Sequence, residues 1–375
     1  MDFQLTEEQQ LIRQTARDFA EQAVAPTAEA RDREHRFPRD EFRQAAELGF
    51  AGMLVPEEFG GSDLGTLGTI MVIEEISRAC ASTGVTLSVH NSLTTGPLVK
   101  FGTDEQKQRY LPKLASGEWL GAYALSEAGA GSDAAALVCK ATPDGDGWRL
   151  DGPKLWITSG NEADLITVFA RAPEGVTAFL VETARDGFGV GKVEEKLGVR
   201  SSSTVEIILD GYKVDRSHLL GELGKGLHIA FSTLDGGRIG ICAQALGITQ
   251  ACLDASMKYA DEREQFGRKL KSYQAIQWKI ADMSAELEAA RLLTWKAAWM
   301  RDHGKPHTRE AAEAKLFCSR LANRAADEAV QIHGGAGYTT EFPVARYFRD
   351  ARVTEIYEGT TEVQRIVIAR ELMGR

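Results

Sequence analysis

From about Leu120 to Leu227 the chain is written in short runs rich in β-branched and aromatic residues. "WRLDG", "KLWITSG", "LITVFARA", "TAFLVET" and "TVEIILDG" are each closed by Gly, Asp or another polar residue. No helix long enough for the crossovers that parallel neighbours need separates them, so the spacing predicts a small antiparallel barrel or sandwich. "DGDG" at Asp144–Gly147 is a hairpin signal. On both sides the periodicity is helical instead. Thr6 with Gln9, and Thr103 with Gln106, form capping boxes. "IMVIEEISRACASTGVTLSVH" is apolar on most sides and predicts a buried helix. After His228, the three-four spacing of Ile276, Ile280, Met283, Leu287 and Ala290 predicts a bundle helix that stops at His303-Gly304. Thr308 is expected to cap the next, which ends at Gly334-Gly335. The expected domains are α-helical over residues 1–119, a β-barrel over 120–228 and a helical bundle over 229–375.

A chain of 375 residues, 43% hydrophobic and 26% charged, is long enough for two or three such domains. Its net charge of −10 opposes bulk binding to nucleic acid or anionic membrane. A few local Arg and Lys could still hold a small anion. The five cysteines are scattered, with no C-x-x-C pair, which reads as reduced thiols and no zinc site. "MDFQLTEEQQ" has neither the basic and apolar regions of a secretion signal nor the Arg-rich character of a transit peptide. No apolar stretch approaches the ~20 residues of a membrane helix. A cytoplasmic protein without membrane insertion is expected.

Five stretches have a chemical look, and each has a plainer reading. "YALSEAGAGSD" (Tyr123–Asp133) offers glycines for close backbone approach and two hydroxyls, but is not the dinucleotide fingerprint, and such a stretch is more often only a loop. "LWITSG" places Trp156 where it could stack on a planar ring; a core tryptophan is commoner. In "QIHGGAGY", part of the glycine cluster is C-capping, and His333 has no carboxylate fixed beside it by spacing. "DGGRIGI" carries Arg238, which a salt bridge at a helix start would also explain. In "IYEGTTEVQR", Glu358 sits beside Tyr357 and before a helix expected to start at Thr361 with Gln364 as its capping-box partner. Such a terminus suits an anion. Pattern alone does not choose Glu358 over Glu355.

In register, "YALSEAGAGSD", "WITSG", "DEREQFGRKL", "QIHGGAGY" and "IYEGTTEVQR" resemble the acyl-CoA dehydrogenase family over essentially the whole chain. The "LDGGRIGI" and "EAARLLTW" stretches look most like its short-chain and short-branched members. The resemblance implies an N-terminal helical domain, a middle antiparallel β-barrel and a C-terminal four-helix bundle, in a homotetramer built as a dimer of dimers. It implies FAD-dependent α,β-dehydrogenation of a short- to medium-chain acyl-CoA to the trans-2-enoyl-CoA, with electrons passing to electron-transferring flavoprotein.

Carried over by position, Glu358 matches the base that removes the α-proton. Tyr123, Leu125, Ser126, Gly131 and Ser132 match residues that line the flavin, and Trp156, Ile157 and Thr158 those that cover its ring. Arg263, Phe266 and Gln274 fall in the segment that reaches a neighbouring subunit's FAD. Gln331, Ile332, Gly334 and Gly335 match the adenine-side contact, and Thr360 and Glu362 a further one. Asp235, Arg238, Tyr357 and Gly359, with Ser132, match positions that touch the acyl-CoA. Two departures stand out. Ala128 replaces a proline common in relatives, and Gly237 occupies the position where isovaleryl and long-chain members keep their base. An acyl-CoA oxidase is the alternative enzyme, although such relatives carry a further C-terminal domain. A flavin-bearing DNA-binding relative would want a basic extension.

Overall fold

The computed structural model describes residues 4–374; the outer ends of the first and last expected domains, at residues 1 and 375, lie outside that range. The first third is helical: α1 (Glu7–Phe19), α2 (Ala25–Glu34), α3 (Arg39–Glu47), α4 (Gly65–Ala79), α5 (Ala81–Val89), α6 (Gly96–Phe101) and α7 (Asp104–Ala115). Both capping boxes form, at Thr6 with Gln9 and at Thr103 with Gln106. The long buried stretch is not one helix. Cys80 adopts extended backbone (φ −155°, ψ 109°) and separates α4 from α5, so each follows its own packing direction. A π-helical segment, His90–Thr95, then leads into α6.

Buried charges inside these helices are paired rather than solvated. Glu74 receives Arg291 at 2.7 Å, and Glu75 receives Arg13 and Arg17, each at 2.8 Å. His90 is fully buried between two backbone partners. Gly121 N–H donates to its Nδ1 at 2.9 Å, so Nε2 carries the proton and donates to Leu114 O at 3.1 Å. Burial lowers its pKa to about 4, which keeps the ring neutral.

The middle third holds β1 (Gly121–Ala124), β2 (Lys140–Asp144), β3 (Gly147–Thr158), β4 (Leu165–Ala172), β5 (Gly175–Glu182), β6 (Phe188–Val193), β7 (Thr204–Val214) and β8 (Leu219–Leu220). The expected hairpin pairs Asp144 with Gly147. The sheet runs β6-β7-β3-β2-β4-β5-β8, with β1 added on β4. Two expectations need correction. β1 and β4 pair in parallel, and Lys140 of β2 also meets β4 in parallel. The intervening loop and hairpin, rather than a helix, supply the crossover length that a parallel pair requires. Among the described residues no ladder joins β6 to β8, so the hydrogen bonds draw a sheet without closing it into a barrel.

The last third contains α8 (Gly226–Glu262), a short β9 (Glu264–Gln265) and β10 (Arg268–Lys269) hairpin, α9 (Gln274–Asp302), α10 (Thr308–His333), α11 (Val344–Ala351) and α12 (Thr361–Met373). α8, α9 and α10 pack on one another, α12 lies along α10, and α4 also packs on α8. A small apolar cluster draws from all three thirds: Val85, Val89, Leu93, Val199 and Ile241, with Tyr123, Val353 and Tyr357 against it. The candidate site is built on this junction.

Candidate active site

Glu358 and Gly359 form a turn with positive φ at both residues (51° and 91°). That conformation is ordinary for glycine and costs a glutamate about 1–2 kcal/mol. The turn is held from outside. Gln364 Nε2 donates to Gly359 O at 2.8 Å and Glu358 O at 3.3 Å, and Lys315 Nζ donates to Gly359 O at 2.6 Å. Gln364 is therefore no capping-box partner. The helix starts at Thr361 as expected, but its N-cap is Thr360, whose hydroxyl accepts from Val363 N–H.

The Glu358 carboxylate lies against α8. A Cβ placed on Gly237 would stand 1.9 Å from Glu358 Oε2 and 2.9 Å from Leu93 Cδ2. Oε2 is buried without a hydrogen-bond partner. Burial pushes the Glu358 pKa up to about 7, against the opposing pull of the Lys315 and Arg238 cations. Tyr357 is anchored through its hydroxyl to Gln244 Oε1, while Gln244 Nε2 donates to Ala81 O at 2.9 Å. Tyr123 O–H is buried near Glu358 with no partner of its own.

Beside this pocket opens a cleft of about 1190 Å³, lined among others by Ser92, Ser132, Asp235, Arg238, Arg301 and Arg370. Lys100 and Lys305 also line it, so the cleft is basic although the chain as a whole is acidic. Asp235 accepts Arg238 Nη1 at 2.5 Å and the Thr308 hydroxyl at 2.7 Å. Thr308, expected to cap α10, spends its hydroxyl on this bond, and the N-cap is His307 without a side-chain bond. A second cavity of about 510 Å³, among Arg17, Glu75, Arg78, Asp254 and Arg346, contains none of the residues singled out from the sequence.

The glycine loop after β1 is fixed by a buried ion pair that the sequence did not announce. Lys154 Nζ donates to Glu127 Oε1 at 2.7 Å and to Leu125 O at 3.2 Å, with side chains 0% and 5% exposed. Glu127 also accepts Val138 N–H and Cys139 N–H at 2.6 and 3.0 Å. Burial pushes its pKa up, but these donors outweigh burial and leave the carboxyl below its ordinary value. The clamp leaves Gly129 and Gly131 with nothing within 4 Å of where a Cβ would be. Lys154→Met would strand a buried carboxylate, so a loss of about 3–5 kcal/mol in stability is expected from denaturant melts, with weaker retention of any ligand held by the loop.

Trp156 is not a core residue. The β3–β7 register shifts between Lys154 and Ile157, and this irregularity turns Trp156 out (φ 58°, 56% exposed) while Ile157 stays buried. Leu155 N–H donates to Ser126 O at 2.9 Å, which joins this strand to the glycine loop. Leu125 is buried, and Thr158 pairs with Thr204 across the sheet.

The remaining residues singled out from the sequence lie elsewhere. Arg263 caps α8, and Phe266 projects from the β9–β10 hairpin at 94% exposure, with Gln274 exposed just after it. Gln331, Gly334 and Gly335 are exposed at the end of α10, where buried Ile332 and His333 anchor the chain. His333 stacks on Tyr259 of α8 at 4.2 Å, and its Nδ1 bonds Ala329 O, so its role is packing. α8 thus carries two groups of candidates, one at Gly237 and one near Tyr259. At 1.5 Å per residue they are roughly 33 Å apart, about the diameter of a small domain. Thr360 and Glu362 belong to the Glu358 end.

An exposed indole beside an open glycine loop, and a basic cleft leading to an unpartnered carboxylate, fit a planar ring cofactor and a phosphate-bearing substrate. Comparison with known proteins agrees. Family models for the N-terminal, middle and C-terminal domains of acyl-CoA dehydrogenase match residues 6–118, 122–212 and 224–373. The chain is 51% identical over 375 residues to the mitochondrial short-chain specific acyl-CoA dehydrogenase of Mus musculus, covering 99% of this chain and 91% of that protein. It superimposes on butyryl-CoA dehydrogenase from Megasphaera elsdenii with a TM-score of 0.98 at 43% identity, covering 100% of both chains. A chain solved in work on the electron transferring flavoprotein of Acidaminococcus fermentans and flavin-based electron bifurcation gives a TM-score of 0.98 at 46% identity, again over 100% of both.

Proposed function

The chain belongs to the acyl-CoA dehydrogenase family, and from that premise we propose that it oxidises short-chain acyl-CoA thioesters to trans-2-enoyl-CoA with Glu358 as the base. It is an FAD enzyme whose electrons pass to electron-transferring flavoprotein. The observation that carries the residue assignment is the buried, unpartnered Oε2 of Glu358 beside the side-chain-free Gly237.

FAD, when bound, supplies the hydride acceptor. Tyr123, Leu125, Ser126, Gly131 and Ser132 would hold it from the loop, Trp156 to Thr158 from β3, and Thr360 and Glu362 from the start of α12. Arg238, Ser132 and the basic cleft would take the CoA portion, leaving the acyl chain to the apolar junction under Tyr357. Glu358 accepts the α-proton. Its backbone N–H has no hydrogen-bond partner among the described residues, so it is free to donate to the thioester oxygen as negative charge develops there. The residues around Leu93, Tyr123 and Tyr357 exclude water, which strengthens both interactions.

The second group, Arg263, Phe266 and Gln274 with Gln331 to Gly335, is too far along α8 to serve the same molecule. These residues would reach the cofactor of a neighbouring subunit in a homotetramer built as a dimer of dimers. No helix is long and apolar enough to cross a membrane among the described residues. Five buried free thiols suit a reducing compartment such as the cytoplasm.

The deciding experiment is anaerobic titration of the purified yellow protein with saturated CoA esters of increasing length. Butyryl-CoA is expected to bleach the flavin; failure of every short and medium ester to do so would refute the reading. Glu358 must be ionised to accept a proton. With its pKa at about 7, kcat/KM is expected to fall about tenfold per unit below that pH and to level off above it. Initial rates from about pH 5 to 9 check this, and a flat profile through pH 7 would count against it.

A further inference from the structure

We propose that Lys315 is a positioning residue for the base: bonded to the Gly359 carbonyl, it presents a buried positive charge toward the Glu358 carboxylate. The inference rests on Glu358 being the base. Lys315 lies on α10, 44 residues from the carbonyl it bonds, and its side chain is 0% exposed. An ammonium so placed has lost its hydration and needs compensation. Among the described residues it has no carboxylate in ion-pair contact; its hydrogen-bond partner is the neutral Gly359 carbonyl.

That bond does not by itself explain a lysine. Gln364 Nε2 already donates to the same oxygen at 2.8 Å, so a neutral donor is in place and a second, charged one is redundant for fixing the turn. The charge is what distinguishes it. Glu358 faces two cations, Lys315 from α10 and Arg238 from α8, together with the hydroxyls of Tyr123 and Tyr357. Arg238 is already neutralised by Asp235 at 2.5 Å. Lys315 faces Glu358 first, then Cys242 and Arg238 on α8 and Glu355 in the turn before the base. Its positive charge therefore falls mainly on Glu358. Burial pulls the lysine down to about 8, with Glu358 opposing that fall.

The sign of the effect follows. Removing the cation disfavours the carboxylate, so the protonated form of Glu358 persists to higher pH. Lys315→Met is expected to move the acid limb of the kcat/KM profile upward by about one unit or more. At pH 7 the variant would be about fivefold or more slower than wild type, with most of the rate recovered near pH 9. Exchange of the substrate α-hydrogen with D2O, followed by NMR, reads the base directly and is expected to shift in parallel. Lys315→Arg, which keeps the charge, should leave the limb within a few tenths of a unit of wild type. Flavin content and melting temperature confirm folding, and Lys315→Gln serves the same test if the methionine variant does not fold. A rate lowered by one constant factor at every pH, or a limb that stays put, overturns the proposal. A limb displaced as far by arginine as by methionine overturns it too. If the wild-type protein bleaches with no ester, the base assignment has failed and this proposal falls with it; an active wild type with an unmoved variant limb defeats the Lys315 proposal alone.

Discussion

Glu358→Gln is expected to fold, hold FAD and lose turnover by at least about a hundredfold and up to about ten-thousandfold. The substitution keeps the shape of the side chain and the positive-φ turn, so Gln364 and Lys315 retain their backbone bonds. What it removes is the lone pair that takes the α-proton. Loss of the carboxylate also leaves Lys315 without the charge it faces, so a modest change in stability accompanies the catalytic loss. Stopped-flow reduction of the flavin by butyryl-CoA measures the step itself. A variant that reduces its flavin within a few-fold of wild type would mean that another group does the work.

The second large effect comes from a single methyl group. Gly237→Ala would put a Cβ 1.9 Å from Glu358 Oε2 and 2.8 Å from its carboxyl carbon. The obstructing atoms are the far end of a flexible side chain, so the protein can fold by swinging the carboxylate aside. Helix α8 gains, because alanine is favoured over glycine inside a helix by roughly 1 kcal/mol. Stability and activity should therefore part company: a melting temperature equal to or above wild type, with turnover down on the order of a hundredfold. Melting curves and kcat on the same preparation check both halves. Wild-type turnover in this variant would show that the carboxylate works from some other position.

Local signals were read correctly where both partners lie within a few residues. Thr6 with Gln9, Thr103 with Gln106 and the Asp144–Gly147 hairpin appear as expected. The readings failed where a distant partner competed for the same atom. Thr308 looked like a cap, but its hydroxyl goes to Asp235, 73 residues away. Gln364 looked like the return arm of a capping box, but the strained turn ahead of it offers two carbonyls instead. For Trp156 only the plainer reading, a core tryptophan, failed, because a register shift against β7 turns it outward. Lys315 carried no motif, and Glu127 and Lys154 went unremarked inside quoted stretches, because a buried charge is recognised by its partner and not by its neighbours in sequence.

The order of helices and strands and the ends of many of them were thus settled by residue type and short-range spacing, since propensities, caps and tight turns act between residues that are already close along the chain; spacing left Glu358 and Glu355 equal, and only the family resemblance singled out Glu358. The space in which that glutamate sits, the cation that faces it and the distance between the two groups of candidates on α8 were decided only by packing. Gly237 and Glu358 lie far apart along the same C-terminal segment and meet only through the packing of its helices, and an absent side chain leaves no local trace of the group it makes room for.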